Sequence, residues 1–398
     1  MSRCLAVALA LVCCFSLTAP ASAASIEIDA REYILMDFHT DAVLAAKNAE
    51  ARMPPSSMSK LMTSYMVFDA LRTGRLSLDD QLHVSANAWR KGGAASGGST
   101  MFLEPGSSVS VEALLRGVTV QSGNDACIVL AEALAGSEEN FAAEMNTKAR
   151  QIGLTGSNFT NATGLPEDDH YMTARDLAVL AKRIIVDFPE YYPLYSETSF
   201  THNGITQGNR NPLLYRVGSG ADGLKTGHTT EAGYGLTASS LRNDRRIVLV
   251  ANGMDSIRAR DEETIKLMDW GFREFVNREL FMSGDVVTDI EVWLGNESTV
   301  PVSVQDDIVI TVPRADLESL EVKVVYEGPV PAPIEEGTRI ATLLVSAGDL
   351  EPIELPLTAS AAVGRLGFLG RLSAAAEYFV FGPPLTPAQA QVSEAGAN

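Results

Sequence analysis

Two strand-like stretches at opposite ends of one long segment constrain this chain more than any other feature. Near the start, Tyr33-Ile34-Leu35-Met36 and Ala42-Val43-Leu44 read as a short hairpin turning around residues 38–41. Further on, residues 235–240 and 246–251, separated by the turn residues Asn243-Asp244, read as another. Between them the apolar spacing becomes helical. Residues 57–71 carry Met58, Leu61, Met62, Tyr65 and Phe68 on a helical repeat that Gly74 ends. Residues 111–118, 124–134, 139–152 and 173–186 fit helices as well. The expected fold class is α+β, an antiparallel sheet with a helical lobe.

Past about residue 275 the texture changes. Ile308-Val309-Ile310-Thr311-Val312, Val322-Lys323-Val324-Val325-Tyr326 and Ala341-Thr342-Leu343-Leu344-Val345 are short runs separated by Pro, Gly and Asp, which predicts a small all-β domain. Residues 275–363 hold 4 basic and 16 acidic side chains and no His or Cys, so a spacer or binding platform is expected there rather than chemistry. Leu366, Leu369, Leu372, Ala376, Phe379 and Val380 then share one helical face. The run is too short to span a bilayer and reads as an amphipathic helix lying in a membrane interface, with packing on the β domain as the plainer alternative. The last residues, 383–398, are rich in Pro and Ala, and disorder is expected.

The chain opens with Met1-Ser2-Arg3, an apolar run over 4–17 and Ala21-Ser22-Ala23, the pattern of a secretory signal cut after Ala23. A lipoprotein signal through Cys13 or Cys14 fits poorly, because Val12 or Cys13 stands where a small residue is wanted. Cleavage removes Cys4, Cys13 and Cys14 and leaves Cys127, which in Ala126-Cys127-Ile128-Val129-Leu130 reads as a buried small hydrophobe. A net charge of −19 argues against a nucleic-acid partner, which needs clustered Lys and Arg. The five His show neither H-x-x-x-H nor a Cys/His cluster, so no metal site and no cofactor are expected.

Three short motifs remain. In Ser57-Met58-Ser59-Lys60, a helix places Lys60 one turn from Ser57, close enough to take its proton. An amine can do so only if burial or a second cation pulls its pKa down from roughly 10.4. Ser122-Gly123-Asn124 opens a helix; its hydroxyl and amide could relay a proton and bind a carbonyl, or Ser122 and Asp125 could simply cap the helix. In Asp222-Gly223-Leu224-Lys225-Thr226-Gly227-His228, Gly227 lets a ligand approach the backbone closely, and Lys225 and Thr226 could then hold an anionic group. Each motif alone is common. Together and in this order, S-x-x-K, S-x-N and K-T-G form the signature of penicillin-recognising serine acyl enzymes.

With Met101-Phe102-Leu103, Pro105-Gly106 and Asn209-Arg210-Asn211, these segments resemble the low-molecular-mass penicillin-binding D-alanyl-D-alanine carboxypeptidases over nearly the whole mature chain. The resemblance implies a β-lactamase/transpeptidase-like catalytic domain over 24–275, after a signal peptide over 1–23. A β-rich domain over 276–363, a membrane-anchoring helix over 364–382 and a tail over 383–398 would follow. It implies that Ser57 attacks the carbonyl between two terminal D-alanines of a peptidoglycan stem peptide, Lys60 acts as base, and Ser122 passes the proton to the leaving group. Asn124, Lys225, Thr226, Gly227, His228 (through its N–H) and Arg260 would bind substrate. β-Lactam antibiotics would stall the acyl-enzyme. The protein would be periplasmic, held by its last helix on the outer face of the bacterial cytoplasmic membrane.

Of the rival readings, two run against the residues present, and the endopeptidase or transpeptidase reading stays open because only the acceptor differs. A β-lactamase needs a deacylating Glu with an Asn four residues on, but Glu167 is followed there by Tyr171. A D,D-endopeptidase or transpeptidase would share the same acyl-enzyme. A non-catalytic wall-binding protein would be expected to have lost Ser57 or Lys60, and both are present.

Overall fold

The computed structural model describes residues 26–348, 350–373 and 389–391. The signal expected over 1–23 lies outside them. β1 (Glu32–Asp37) and β2 (Val43–Lys47) form the first hairpin, and a 3-10 turn (Ser56–Ser59) runs straight into α1 (Lys60–Arg72). There follow β3 (Gln81–His83), α2 (Ala86–Gly92), β4 (Ser108–Ser110), α3 (Val111–Thr119), α4 (Asn124–Ala135), α5 (Glu138–Gln151) and α6 (Ala174–Asp187). A small hairpin, β5 (Ser199–His202) with β6 (Ile205–Gly208), leads to β7 (Ala221–Thr229), β8 (Gly233–Arg242) and β9 (Arg245–Met254), and α7 (Ile257–Glu274) closes the unit. Ser110, Ser137, Thr173 and Ser256 cap their helices by accepting from the backbone N–H three residues on.

The two ends of the segment meet in one antiparallel sheet of order β2-β1-β9-β8-β7, with Ile34 opposite Val250 and Leu249 opposite both Leu35 and Ala238. β9 is apolar on both faces because both are covered. Val248 and Val250 join the core of the helical lobe with Met58, Leu61 and Tyr65. Ile247, Leu249 and Ala251 pack instead with Leu267, Met268 and Trp270 of α7. Alternate side chains of a strand point to opposite faces, so one run of residues seeds two cores. α7 was not anticipated: its sequence is largely charged, and only a narrow stripe faces the sheet. Gly271 is part of the reason it sits so close, since a Cβ there would lie 2.5 Å from the Leu35 side chain.

The second module contains β10 (Phe275–Phe281), β11 (Val286–Trp293), β12 (Thr299–Ser303), β13 (Ile308–Pro313), β14 (Glu321–Val325), β15 (Val330–Pro331), β16 (Arg339–Ser346) and β17 (Ile353–Ala359). β10 pairs with β13, and the others build a sheet of order β15-β11-β12-β17-β16-β14-β18 around an Ile/Val/Leu core. β18 (Gln389–Gln391) lies within the segment expected to be disordered; it adds to the edge of β14, whose backbone groups offer a ready template. The rest of 383–398 lies outside the described residues. Residues 368–373 are helical, with Phe368, Leu369 and Leu372 exposed, and the lead-in is tied to the β module by Arg365 Nε donating to the Ala332 carbonyl. Residues 374–382 of the expected helix lie outside the described residues.

Asp37, fully buried at the end of β1, joins the two modules. Its Oδ1 accepts from the backbone N–H groups of His39 and Thr40 and from Asn277 Nδ2 of β10 at 3.1 Å. Its Oδ2 pairs with Arg245 Nε at 2.9 Å, and the same guanidinium donates to the carbonyls of Gly271 and Phe275. Removing one partner of a buried pair leaves the other charged and unpaired. Asp37→Ala is therefore expected to lower the unfolding free energy by about 3 kcal/mol or more, read as a drop in the urea midpoint; an unchanged midpoint would show that Arg245 finds another partner.

Candidate active site

The nucleophile motif does not start in regular α-helix. Ser57 sits on the 3-10 turn, and the α-helix begins at Lys60. In a 3-10 turn, side chains at i and i+3 eclipse, which aligns the pair more directly than the expected α-helical stagger. Lys60 Nζ lies 2.9 Å from Ser57 Oγ and donates at 2.6 Å to the Thr163 carbonyl. Only 1% of Lys60 is exposed. Burial is the main cause that pulls its amine down to about 8, helped by the charge of Arg210 and opposed by Cys127 and Asp125.

The sheet reaches the nucleophile through missing side chains. Gly227 of β7 lies opposite Gly235 of β8. A Cβ on Gly227 would stand 3.0 Å from the Pro55 carbonyl and 3.2 Å from Ser56 Cβ, and one on Gly235 would stand 2.7 Å from Met58 Cε. The close approach expected at Gly227 is thus made first by the chain's own nucleophile turn. Lys225, buried on the same strand, donates to the Thr226 carbonyl at 3.2 Å and bonds to neither Ser57 nor Lys60 in this state. Desolvation first, and then the charges of Lys60 and Arg210, hold Lys225 well below the usual lysine range. Thr226 is buried beside it, and His228 is exposed.

Ser122 takes a left-handed backbone conformation, φ 61°, immediately before α4, which packs on α1. It does not cap α4: its Oγ is buried and makes no hydrogen bond, and the Oδ1 of Asn124 is likewise unpartnered. Two buried polar atoms at one turn thus have hydrogen-bonding capacity free for a water or a ligand. Asp125 has another task than the capping considered from sequence. Its carboxylate accepts from Thr100 Oγ1 and from the N–H groups of Met101, Leu103 and Ala126, fastening residues 100–103 to α4. Above them, Asn124 N–H donates to the Ser99 carbonyl, and a Cβ on Gly98 would come within 2.7 Å of Asn124 Nδ2. Both ends of the Gly92–Gly98 segment abut the start of α4, a Cβ on Gly92 standing 2.3 Å from the Asp125 backbone nitrogen, while residues 94–98 are exposed.

Arg260, in the first turns of α7, is buried, donates through Nη2 to the Arg210 carbonyl at 3.2 Å and leaves Nε unpartnered. Arg210 donates to Ser99 Oγ at 2.6 Å. Desolvation lowers both guanidinium pKa values, and neither pairs with a carboxylate among the described residues. Lys60, Lys225, Arg210 and Arg260 influence one another electrostatically, so a chain of net charge −19 concentrates unpaired positive charge in one cleft. Such a cleft suits an anionic end group. Glu167, the carboxylate considered for a β-lactamase, is exposed, and the group beneath Lys60 is the Thr163 carbonyl.

Thr163, His170 and Ser99 escaped the sequence reading as site residues, Asp125 entered it only as a possible helix cap, and Arg210 only as part of Asn209-Arg210-Asn211. Each acts across a long sequence separation, and no local spacing announces it. His170 bonds Ser59 through Nε2 at 2.9 Å and Thr160 through Nδ1 at 3.1 Å, bracing the nucleophile turn against the loop that carries Thr163.

Residues 18–256 match the protein family described as D-alanyl-D-alanine carboxypeptidase, and residues 275–365 match the penicillin-binding protein 5 C-terminal domain. The D-alanyl-D-alanine carboxypeptidase DacC of Escherichia coli K12 is 39% identical over 93% of this chain and 94% of its own length. The crystal structure of penicillin-binding protein 5 from Haemophilus influenzae superposes with a TM-score of 0.77 at 37% identity, covering 86% of this chain and all of that one. Penicillin-binding protein D2 of Listeria monocytogenes, solved in its ampicillin-bound form, is 29% identical with a TM-score of 0.54, covering 63% of this chain and 99% of its own.

Burial and the nearby Lys60 charge depress His170 to about 4, from an ordinary 6.5. The folded protein then binds fewer protons than the unfolded chain between these values. The stability His170 contributes is complete above pH 6.5 and is lost as the pH falls toward and through 4, by about 3 kcal/mol in all. Urea midpoints measured from pH 7 to 4 should show this loss, and His170→Asn should remove that share of the slope.

Proposed function

The chain belongs to the D-alanyl-D-alanine carboxypeptidase family and is a serine-type carboxypeptidase of cell-wall remodelling; from that premise we propose the following division of labour in its cleft. With Lys60 neutral, Ser57 O–H donates to Nζ, and Oγ attacks the carbonyl carbon between the two terminal D-alanines of a stem peptide as the proton passes to Lys60. The backbone N–H groups of Ser57 and His228 stabilise the oxyanion; β7 is the outer strand of its sheet, so its far edge is open to an extended peptide. Ser122 hands the proton to the departing D-alanine nitrogen, Asn124 and Gly227 seat the substrate backbone, and Lys225 supports the proton network. Arg260 and Thr226 hold the terminal carboxylate. Water then cleaves the ester of Ser57 and restores the enzyme.

The observation that carries this reading is the buried amine of Lys60 at 2.9 Å from Ser57 Oγ, with its pKa brought to about 8. A solvated lysine would be almost wholly protonated at neutral pH and useless as a base. The unpaired Arg210 and Arg260 favour a substrate ending in a free carboxylate. β-Lactams, which imitate the D-Ala-D-Ala unit, would acylate the same Oγ. Ser57→Ala is expected to abolish labelling by a fluorescent penicillin while the circular dichroism spectrum stays that of the folded protein. Undiminished labelling would remove Ser57 from its role.

The finer placement of the protein belongs to the same proposal. The leader over 1–23 directs export to the periplasm, 24–275 is the catalytic domain, 276–363 the β-rich spacer, and 364–382 attaches the protein to the outer face of the cytoplasmic membrane. No helix among the described residues is long and apolar enough to cross a membrane, and the exposure of Phe368, Leu369 and Leu372 supports attachment at the surface. Deleting residues 366–381 should leave hydrolysis of a soluble D-Ala-D-Ala peptide intact and move the protein from the membrane pellet to the supernatant. Continued sedimentation with membranes would refute the anchor.

A further inference from the structure

Arg260 is a cation with little to hold it. Its one hydrogen bond goes to a backbone carbonyl, its Nε has no partner, and the neighbouring Asp261 is turned away to pair with Arg216 at 2.9 Å. Arg210, close by, repels it. What the guanidinium does have is an aromatic surface: its Cζ lies 5.8 Å from the ring centroid of Tyr234. Tyr234 is half-buried on β8, directly opposite His228 of β7, and the two rings stack with centroids 4.0 Å apart and planes 28° from parallel. On its other side in the sheet, Tyr234 is opposite Met254 of β9, just before α7 begins. One ring therefore touches both the strand residue whose N–H faces the reacting carbonyl and the cation on α7.

We propose that Tyr234 is a positioning residue that aims Arg260 at the terminal carboxylate of the substrate and so sets the preference for a free C-terminus. The proposal rests on the role given to Arg260 above. An aromatic face attracts a guanidinium without neutralising it, so it fixes direction while leaving the charge available to an anion. A carboxylate in the same place would fix Arg260 as firmly and cancel the charge that substrate needs. The His228 imidazole keeps the Tyr234 ring from turning, which ties the distance between oxyanion site and carboxylate site to the sheet register.

The test compares a peptide ending in D-Ala-D-Ala with its C-terminal amide, using full-length wild type, Tyr234→Phe, Tyr234→Leu and Arg260→Gln, with kcat and KM measured separately. Tyr234→Leu should lower the preference for acid over amide in kcat/KM by about three- to tenfold, mainly through KM of the acid. Tyr234→Phe, which keeps the ring, should restore the preference. Equal losses on both substrates in Tyr234→Leu would mark a merely structural residue and overturn the proposal, as would an unchanged preference. If Arg260→Gln abolishes the preference while Tyr234→Leu does not, the carboxylate assignment stands and this inference alone falls. If Arg260→Gln leaves it intact, both fall together.

Discussion

A charged amine kept out of water beside a hydroxyl is the constraint around which this protein is arranged. Lys60 has lost its solvent shell, and its Nζ is left with Ser57 Oγ and the Thr163 carbonyl. Desolvation makes the neutral amine accessible near neutrality; the Thr163 carbonyl takes one of its N–H groups and the Ser57 hydroxyl stands where its lone pair can accept. To keep Lys60 dry the fold must close on every side. α4 packs on α1, the loop over 157–172 is braced by His170, and β7 comes up against the 3-10 turn where two facing glycines leave room. Loss of any of these walls would let water back to the amine and raise its proton affinity.

The second organising principle is charge left unpaired. The molecule is strongly acidic, yet Lys60, Lys225, Arg210 and Arg260 gather without forming an ion pair to any carboxylate among the described residues. Nearby acids are occupied elsewhere, Asp125 by backbone N–H groups and Asp261 by Arg216. Repulsion among the cations lowers the proton affinity of both lysines and at the same time creates the potential that draws an anionic peptide end. Catalytic and binding demands are therefore met by one electrostatic choice, and the cost is carried by the stability of the two cores.

Much of this was legible in the chain and some of it could not be. The hairpins around β1–β2 and β8–β9 and the helices α3 to α6 declare themselves because each buries a regular stripe. The Ser57–Lys60 spacing is visible because the contact is local. α7 hid because Arg258, Arg260, Asp261, Glu262 and Glu263 swamp its single apolar edge, and the 3-10 turn hid because four residues have no measurable period. Gly227 was read as a place where a ligand approaches the backbone, whereas the neighbour that needs its missing side chain is the Pro55 carbonyl, far away in sequence. The same holds for Thr163 and Asp125: their work is done by a backbone carbonyl and by bonds to distant N–H groups, which leave no residue pattern behind.

The buried knot at Asp37 has a consequence of scale. Because β1, β9, the start of β10 and, through Thr40 and Thr311, β13 are all stitched at this point, displacing the β module from the catalytic unit has to break these contacts. Movement at the junction and the stability of the catalytic sheet are thereby coupled through one buried carboxylate.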